Sequence, residues 1–150
     1  MVASQSSSAK DSGIIAPYGG TLVDLMVPLE QQGSLKKSIT KTLECSDRNA
    51  CDIELLIIGG FSPERGFMHQ ADYEAVVKGN RTTSGYLFGL PIVMDTDRND
   101  LHLGDQVLLT YKGQELAVLE IEDKWEPDKV VEAKGCYGTT SLEHPAVRMI

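Results

Sequence analysis

The chain has 150 residues, enough for one domain with a substantial core, and carries a formal net charge of −8. The acidic balance argues against nucleic acid and anionic membrane surfaces as partners, because both are bound through clustered Lys and Arg. The most basic segment, Lys36 and Lys37 with Lys41 nearby, is interpreted as a solvated face, and no apolar run reaches the roughly 20 residues of a membrane helix.

The first part of the chain is predicted to lack a fold of its own. Residues 1–13 are rich in serine and hold little that could be buried, so we expect a disordered tail. This tail has neither the apolar stretch of a secretory signal nor the arginines of a transit peptide, which favours a cytoplasmic protein. Residues 14–28 are apolar and punctuated by glycines, and we expect them to pack against the domain.

A helix is predicted between Ser46 and Gly60. The Ser46 hydroxyl can cap the start, and Gly59 can take the left-handed conformation that ends a helix. The apolar positions that would share its inner face are Ala50, Ile53, Leu56 and Ile57. Periodicity alone leaves residues 55–58 open to a second interpretation as a buried strand.

Two further helix-start signals follow. Ser62, Pro63 and Glu64 combine a capping hydroxyl, a proline and a carboxylate, which predicts one short helical turn. Asp72 is predicted to cap a longer helix that ends near Gly79. The inner face of that helix would carry Tyr73, Val76 and Val77.

The second half of the chain has the pattern of strands. Residues 87–94 form an apolar run, and Pro91 within it predicts an edge strand or a bulge. Residues 107–111 and 116–121 flank the turn Lys112-Gly113-Gln114, which predicts a hairpin with Leu119 and Ile121 on one face. Helices followed by strands predict an α+β domain.

Candidate chemical sites are few and each has a structural interpretation. Gly59 and Gly60 lack the further glycines and the Gly-Lys-Ser/Thr of a phosphate loop, so a helix end and tight turn is preferred. Arg65 is interpreted as a surface residue. The acidic cluster Asp95, Asp97 and Asp100 lacks the glycine and terminal glutamate of a calcium loop, which favours a solvated turn.

The remaining candidates lie towards the C-terminus. Residues 123–129 are expected to form a charged loop around Pro127, in which Trp125 either fills a core or anchors an interface. His144 has no nucleophile beside it in sequence. The sequence has three cysteines, an odd number, and no C-x-x-C pair: Cys45, Cys51 and Cys136. This pattern favours reduced, inert thiols and argues against a metal site.

Several segments together resemble the N-terminal domain of ATP sulfurylase, the sulfate adenylyltransferase family. The segments that carry this resemblance are GGFSPERGFM at 59–68, DYEAVV at 72–77, IAPYGG at 15–20, CDIEL at 51–55, WEPDK at 125–129, YGTT at 137–140 and EHPAV at 143–147. They extend over nearly the whole chain. The resemblance also favours the helix over the strand at 55–58.

The resemblance implies a PUA-like fold, a small mixed pseudo-barrel, over residues 14–150. It also implies an enzyme that transfers the adenylyl group of ATP to sulfate, using ATP and Mg²⁺. The family's Gln-x-Arg-Asn-Pro signature and its clustered histidines are not found in this sequence. We therefore assign no catalytic, cofactor-binding or metal-binding residue here, and expect a non-catalytic module whose partner is a C-terminal catalytic domain.

Two hypotheses remain from the sequence. The first is an N-terminal scaffold domain of the enzyme, with homo-oligomerisation left open. The second is a free-standing PUA-like binding or regulatory module, because a fold does not fix a function.

Overall fold

A computed structural model describes residues 13–150, so the predicted tail at 1–13 lies outside the described residues except for Gly13. The elements in chain order are α1 (Leu29–Lys36), β1 (Lys41–Glu44), α2 (Asp47–Ile57), α3 (Gln70–Gly79), β2 (Gln106–Tyr111), β3 (Gln114–Glu120), α4 (Lys129–Tyr137) and a 3₁₀ turn, Val147–Met149. No helix between residues 13 and 150 is both long and apolar enough to cross a lipid bilayer.

The predicted α+β class is confirmed, and the expected order of helices before strands has two exceptions among the described residues. β1 precedes α2, and α4 follows β3. The sheet has the order β1-β2-β3, with β1 parallel to β2 and β2 antiparallel to β3. It forms an open sheet of three strands within the described residues, and the hairpin predicted around Gly113 joins β2 to β3.

The core consists of two clusters that α2 connects. The first lies between α2 and the sheet and contains Cys45, Ile53, Leu101, Val107 and Leu109. The second lies between α2 and α3 and contains Leu56, Met68, Val76 and Ile92. Leu119 and Ile121 pack against the first cluster as predicted, while Glu120 is exposed.

The helix predicted after Ser46 is confirmed as α2. The Ser46 side chain accepts a hydrogen bond from the Asn49 N–H at 3.1 Å, and Ala50, Ile53 and Leu56 are buried. The helix ends at Ile57, and Gly59 follows with a φ of 80°. Local capping chemistry and periodicity therefore determined this element.

The helix predicted around Asp72 is also present, but the predicted N-cap was wrong. The N-cap of α3 is His69, and Asp72 lies in the first turn. The Asp72 carboxylate instead accepts hydrogen bonds from the backbone N–H and the hydroxyl of Thr83, both at 2.7 Å. The predicted inner face of Tyr73, Val76 and Val77 is buried.

Helix α4 was missed, because Pro127 and the surrounding charges suggested a loop. Asp128 is the N-cap, and its Oδ1 accepts hydrogen bonds from the N–H groups of Val130 and Val131, both at 3.0 Å. The helix ends at Tyr137, and its C-cap is Gly138, whose φ of 70° is left-handed. The sequence signal was present: a capping aspartate at 128 and a glycine ten residues later.

The apolar run at 87–94 does not form the predicted strand. It contributes one isolated bridge, between Leu87 and Arg81, and a hydrogen bond from the Met68 N–H to the Ile92 carbonyl at 2.8 Å. Ile92 is buried in the second cluster. The run is apolar because it covers α2 and α3, not because it belongs to a sheet.

Ser62 joins the N-terminal segment to the end of α2 instead of starting a helix. Its hydroxyl accepts a hydrogen bond from the Val23 N–H at 2.9 Å and donates one to the Gly59 carbonyl at 2.7 Å. The Leu25 N–H donates to the Ile57 carbonyl at 2.9 Å. Within residues 14–28, only Val23 is buried. The segment also contacts the domain through Tyr18, whose hydroxyl accepts a hydrogen bond from the Leu87 N–H at 2.7 Å.

Replacing Gly59 with alanine is expected to destabilise the domain for two reasons. Its φ of 80° is costly for a residue with a side chain, and an added Cβ would lie 2.3 Å from the Val23 carbonyl oxygen. Gly138 is a matched control, since its φ is 70° and no atom lies within 4 Å of an added Cβ. We expect Gly138→Ala to cost about 1 kcal/mol of unfolding free energy and Gly59→Ala at least about 1 kcal/mol more, measured by urea denaturation. Equal losses would contradict the close approach of Val23.

Candidate functional site

A cleft of 570 Å³ lies between α3, α4 and the loop before α4, and is called the α3–α4 cleft below. The two helices run in the same direction along it. Tyr73 on α3 contacts Glu132 on α4, and Val77, one turn later on α3, faces Gly135, nearly one turn later on α4. The side chains that form most of its apolar surface are Tyr73, Val77, Trp125, Pro127 and Val131.

Gly135 sets the distance between the two helices. A Cβ at this position would lie 2.3 Å from the Val77 carbonyl oxygen and 3.0 Å from a methyl carbon of its side chain. Any larger residue would therefore push α4 away from α3. The cleft depends on this close approach because its two walls are the helices themselves.

A buried hydrogen bond joins the same two helices. Glu132 is only 3% exposed and Tyr73 only 5% exposed, and the Tyr73 hydroxyl donates to Glu132 Oε2 at 2.8 Å. Lys129 Nζ lies 3.8 Å from the same oxygen. Burial, together with the bond to Glu132, raises the pKa of Tyr73 above its usual value. The hydroxyl therefore stays protonated at neutral pH and serves as a structural donor.

Trp125 forms one wall of the cleft and lies outside both core clusters. Its ring is partly exposed and lies 5.6 Å from the Tyr73 ring, centroid to centroid, at an interplanar angle of 49°. Its Nε1 is buried and has no hydrogen-bond partner within residues 13–150. The residue thus combines an aromatic surface that faces the cleft with an unsatisfied donor.

Two contacts hold the loop before α4 against the start of α3. Asp123 Oδ2 accepts a hydrogen bond from the Gln70 N–H at 2.8 Å, which places a carboxylate at the positive end of α3. His69 Nε2 lies 3.1 Å from Glu122 Oε2. The position of Trp125 follows from these contacts and from the Asp128 cap of α4.

Charged groups at the two ends of the cleft are unpaired. Lys78 and Lys134 lie near the C-terminal ends of α3 and α4, and Glu126 lies beside the N-terminal end of α4. None of these three side chains makes an ion pair or a hydrogen bond with another described residue. Glu74 and Asp128 also line the cleft, so it carries charges of both signs.

Most other charged candidates have structural partners. Lys36 pairs with Glu115, and Lys41 pairs with Asp105, so two lysines of the basic segment join separate parts of the fold. Arg65 is exposed.

In the acidic cluster, Arg98 binds both oxygens of Asp100, at 2.6 and 2.5 Å, and lowers the pKa of that carboxyl to about 2. Arg98 also donates to the Thr42 carbonyl on β1 at 2.9 Å. Among residues 13–150, no group of three or more His, Cys, Asp or Glu side chains is arranged to hold a metal ion.

A second cleft, of 420 Å³, lies beside α2 and is lined by Asp52, Arg48 and Tyr137 among others. Asp52 Oδ2 is buried without a hydrogen-bond partner among the described residues, and Arg48 Nε is 3.8 Å away. Burial raises the pKa of Asp52. The His144 ring lies 5.4 Å from that of Tyr137, so it packs against an aromatic ring and not beside a nucleophile.

The three cysteines are free. Burial raises the pKa of both Cys45 and Cys136, which lowers their thiolate fraction and their reactivity. Cys51 is exposed on α2. Neither cleft combines an activated nucleophile with a base, and the α3–α4 cleft has the character of a binding surface.

Comparisons with known proteins give a consistent result. A family model described as a PUA-like domain matches residues 15–150. The chain is 41% identical over 145 residues to the sulfate adenylyltransferase of Chaetomium globosum, covering 90% of this chain and 25% of that protein. It is 37% identical over 145 residues to the probable bifunctional SAT/APS kinase 2 of Sorangium cellulosum, covering 90% of this chain and 24% of that protein.

A solved structure is also similar, the hexameric APS kinase from Thiobacillus denitrificans. The TM-score is 0.66 at 33% sequence identity, and the match covers 76% of this chain and 24% of that chain. The chain thus spans about a quarter of the length of the relatives that it matches.

Replacing Tyr73 with phenylalanine is expected to lower the unfolding free energy by about 1–3 kcal/mol, because the buried Glu132 carboxylate loses its donor. Tyr111→Phe is a suitable control, since the Tyr111 hydroxyl bonds to Asp47 at an exposed position, and its effect should be smaller. Urea denaturation at neutral pH measures both. Equal losses would show that the buried pair does not fix α4 on α3.

Proposed function

The chain belongs to the PUA-like domain family, and from this premise we propose that it is the N-terminal scaffold domain of a sulfate adenylyltransferase. The single observation that carries this proposal is the 41% identity to the Chaetomium globosum enzyme along 90% of this chain, which accounts for only 25% of that enzyme. The whole enzyme would transfer the adenylyl group of ATP to sulfate and release pyrophosphate.

In this proposal the domain orients a catalytic partner and performs no chemical step itself. The Tyr73 hydroxyl donates its hydrogen bond to Glu132, and the Asp100 carboxylate accepts hydrogen bonds from Arg98. We propose that neither Mg²⁺ nor ATP binds to this domain. Both would bind to the partner domain, where cations and backbone donors stabilise the charge of the transferring phosphoryl group.

The finer description of the domain is part of the same proposal. It comprises residues 14–150 folded as a PUA-like mixed pseudo-barrel, with residues 1–13 as a tail outside it. The family match over residues 15–150 supports these limits. The partner is the C-terminal catalytic domain of the same enzyme. Free cysteines support a cytoplasmic location, and the hexameric structural relative supports a homo-oligomer.

A pyrophosphate-release assay with a chimera tests the proposal. In the chimera, this chain replaces the matching quarter of the Chaetomium globosum enzyme. We expect sulfate-dependent release of pyrophosphate from ATP by the chimera and none above background by the isolated 150-residue chain. The matched control is the same enzyme with that quarter deleted, which should be much less active than the chimera because it lacks the scaffold.

Two results would contradict the proposal. Release of pyrophosphate by the isolated chain, in proportion to its concentration, would place an active site within these residues. A folded chimera no more active than the deletion control would favour the second hypothesis, a free-standing binding or regulatory module.

A further inference from the structure

Four large apolar side chains lie exposed around the C-terminal end of α2. They are Leu22, Met26, Leu55 and Ile58, each between 39% and 61% exposed, and they are called the α2 patch below. Single exposed apolar residues are common on small domains. A contiguous group of large apolar side chains is instead typical of an interaction surface.

The N-terminal segment contributes two members of the α2 patch. Along residues 22–26 exposed side chains alternate with buried or half-buried ones, as in an extended chain, so Leu22 and Met26 point the same way. The Leu25 N–H donates a hydrogen bond to the Ile57 carbonyl at 2.9 Å. This segment therefore runs beside the end of α2.

The other two members belong to α2 and its C-cap. Leu55 and Ile58 are three residues apart, so they lie on one face of the helix. A Cβ on Gly59 would lie 2.7 Å from Leu22 Cδ1, and a Cβ on Gly60 would lie 2.8 Å from Leu55 Cδ2. The two glycines thus bring the side chains of both segments together in one surface.

The charged side chains of these two segments are all acidic. Residues 13–35 and 49–64 contain no Lys, Arg or His. Asp24 and Glu54, one on each segment, are exposed next to members of the α2 patch. Neither carboxylate makes an ion pair with another described residue.

The basic residues that border the two segments leave these carboxylates unpaired. Lys36 pairs with Glu115, and Arg48 Nε lies 3.8 Å from Asp52 Oδ2. Arg65 makes no ion pair with another described residue. A surface that complements the α2 patch is therefore apolar and carries lysine or arginine at its border.

This combination discriminates between possible occupants. Nucleic acid and anionic lipid surfaces would be repelled by Asp24 and Glu54. A second copy of the chain in twofold contact would place the same carboxylates against each other, because a twofold interface uses one surface of both partners. The larger enzyme offers another occupant, since this chain accounts for only 25% of the Chaetomium globosum protein.

We propose that the α2 patch is the docking site for the catalytic part of the larger enzyme. The docked surface places apolar side chains on Leu22, Met26, Leu55 and Ile58, and places lysine or arginine beside Asp24 and Glu54. This proposal rests on the proposed function, because the docked surface belongs to the partner domain. It goes further by naming the contact surface and the charge of its partner.

Cys51 reports whether the α2 patch is covered. Its thiol is exposed one helical turn before Leu55, on the same face of α2. The isolated chain and the chimera described above are treated with iodoacetamide, and mass spectrometry follows the modification of the peptide that contains Cys51. We expect Cys51 to react at least about tenfold more slowly in the chimera, because a covered thiol reacts only when the contact opens.

Asn99→Cys in the same two proteins is the control for this measurement. Asn99 is exposed in the loop before β2 and does not belong to the α2 patch. The introduced thiol should react at similar rates in the isolated chain and in the chimera.

The charge of the partner is tested by Glu54→Lys. We expect this substitution to lower the thermal unfolding midpoint of the chimera by several degrees and to leave that of the isolated chain nearly unchanged. The loss should shrink at high salt, because exposed charges are screened. Glu120→Lys is the matched control, since Glu120 is also exposed but lies on β3, and it should change neither midpoint.

Four outcomes would overturn the docking site. Equal reactivity of Cys51 in the isolated chain and in an active chimera would leave the α2 patch uncovered and the proposed function intact. Equal midpoints for Glu54→Lys and Glu120→Lys in an active chimera would remove the basic partner surface. Protection of Cys51 that rises with the concentration of the isolated chain would identify a second copy as the occupant. A folded chimera no more active than the deletion control would remove the partner domain and the docking site together.

Discussion

The buried hydrogen bond between Tyr73 and Glu132 is the contact on which the α3–α4 cleft depends. A carboxylate that is 3% exposed has lost most of its hydration, and the Tyr73 hydroxyl at 2.8 Å replaces part of it. The bond joins α4 to α3. Gly135 then allows the helices to approach until backbone and side chains touch. The α3–α4 cleft is the space that these two contacts leave open beside the Trp125 loop.

Charge in this acidic domain is used mainly to hold segments in place. Arg98 joins the acidic cluster to the edge of β1 through the Thr42 carbonyl, and Lys41 joins the same strand to Asp105. Asp72 and Asp123 accept backbone hydrogen bonds from segments distant in sequence. Lys78 and Lys134 of the α3–α4 cleft differ from these groups, because neither makes an ion pair with another described residue.

A scaffold role is consistent with this distribution. α2 contributes to both core clusters, so the sheet and the helical half of the domain are connected through one rigid element. The Ser62 hydroxyl attaches the N-terminal segment to the end of that helix. A domain built in this way presents fixed surfaces to a partner, and preformed surfaces lose little entropy when the partner binds.

The sequence by itself determined the elements whose signals are local. Ser46 caps α2, the spacing of Ala50, Ile53 and Leu56 gives its inner face, and the turn at Gly113 gives the hairpin. The family resemblance was likewise carried by short segments. These features depend on residues within one or two turns of a helix or across one hairpin. Such residues are close together in the sequence, so a local pattern predicts their contacts.

Only the tertiary structure decided the hydrogen-bond and packing partners of residues whose local sequence allowed more than one role. The Ser62 hydroxyl and the Asp72 carboxylate are both good caps, but Val23 and Thr83 reach them across 39 and 11 residues. The apolar run at 87–94 could have been a strand until α2 and α3 supplied the surface that it covers. The cleft itself requires α3 and α4 side by side, although 49 residues separate the end of one from the start of the other. Such choices depend on long-range packing, which no local pattern records.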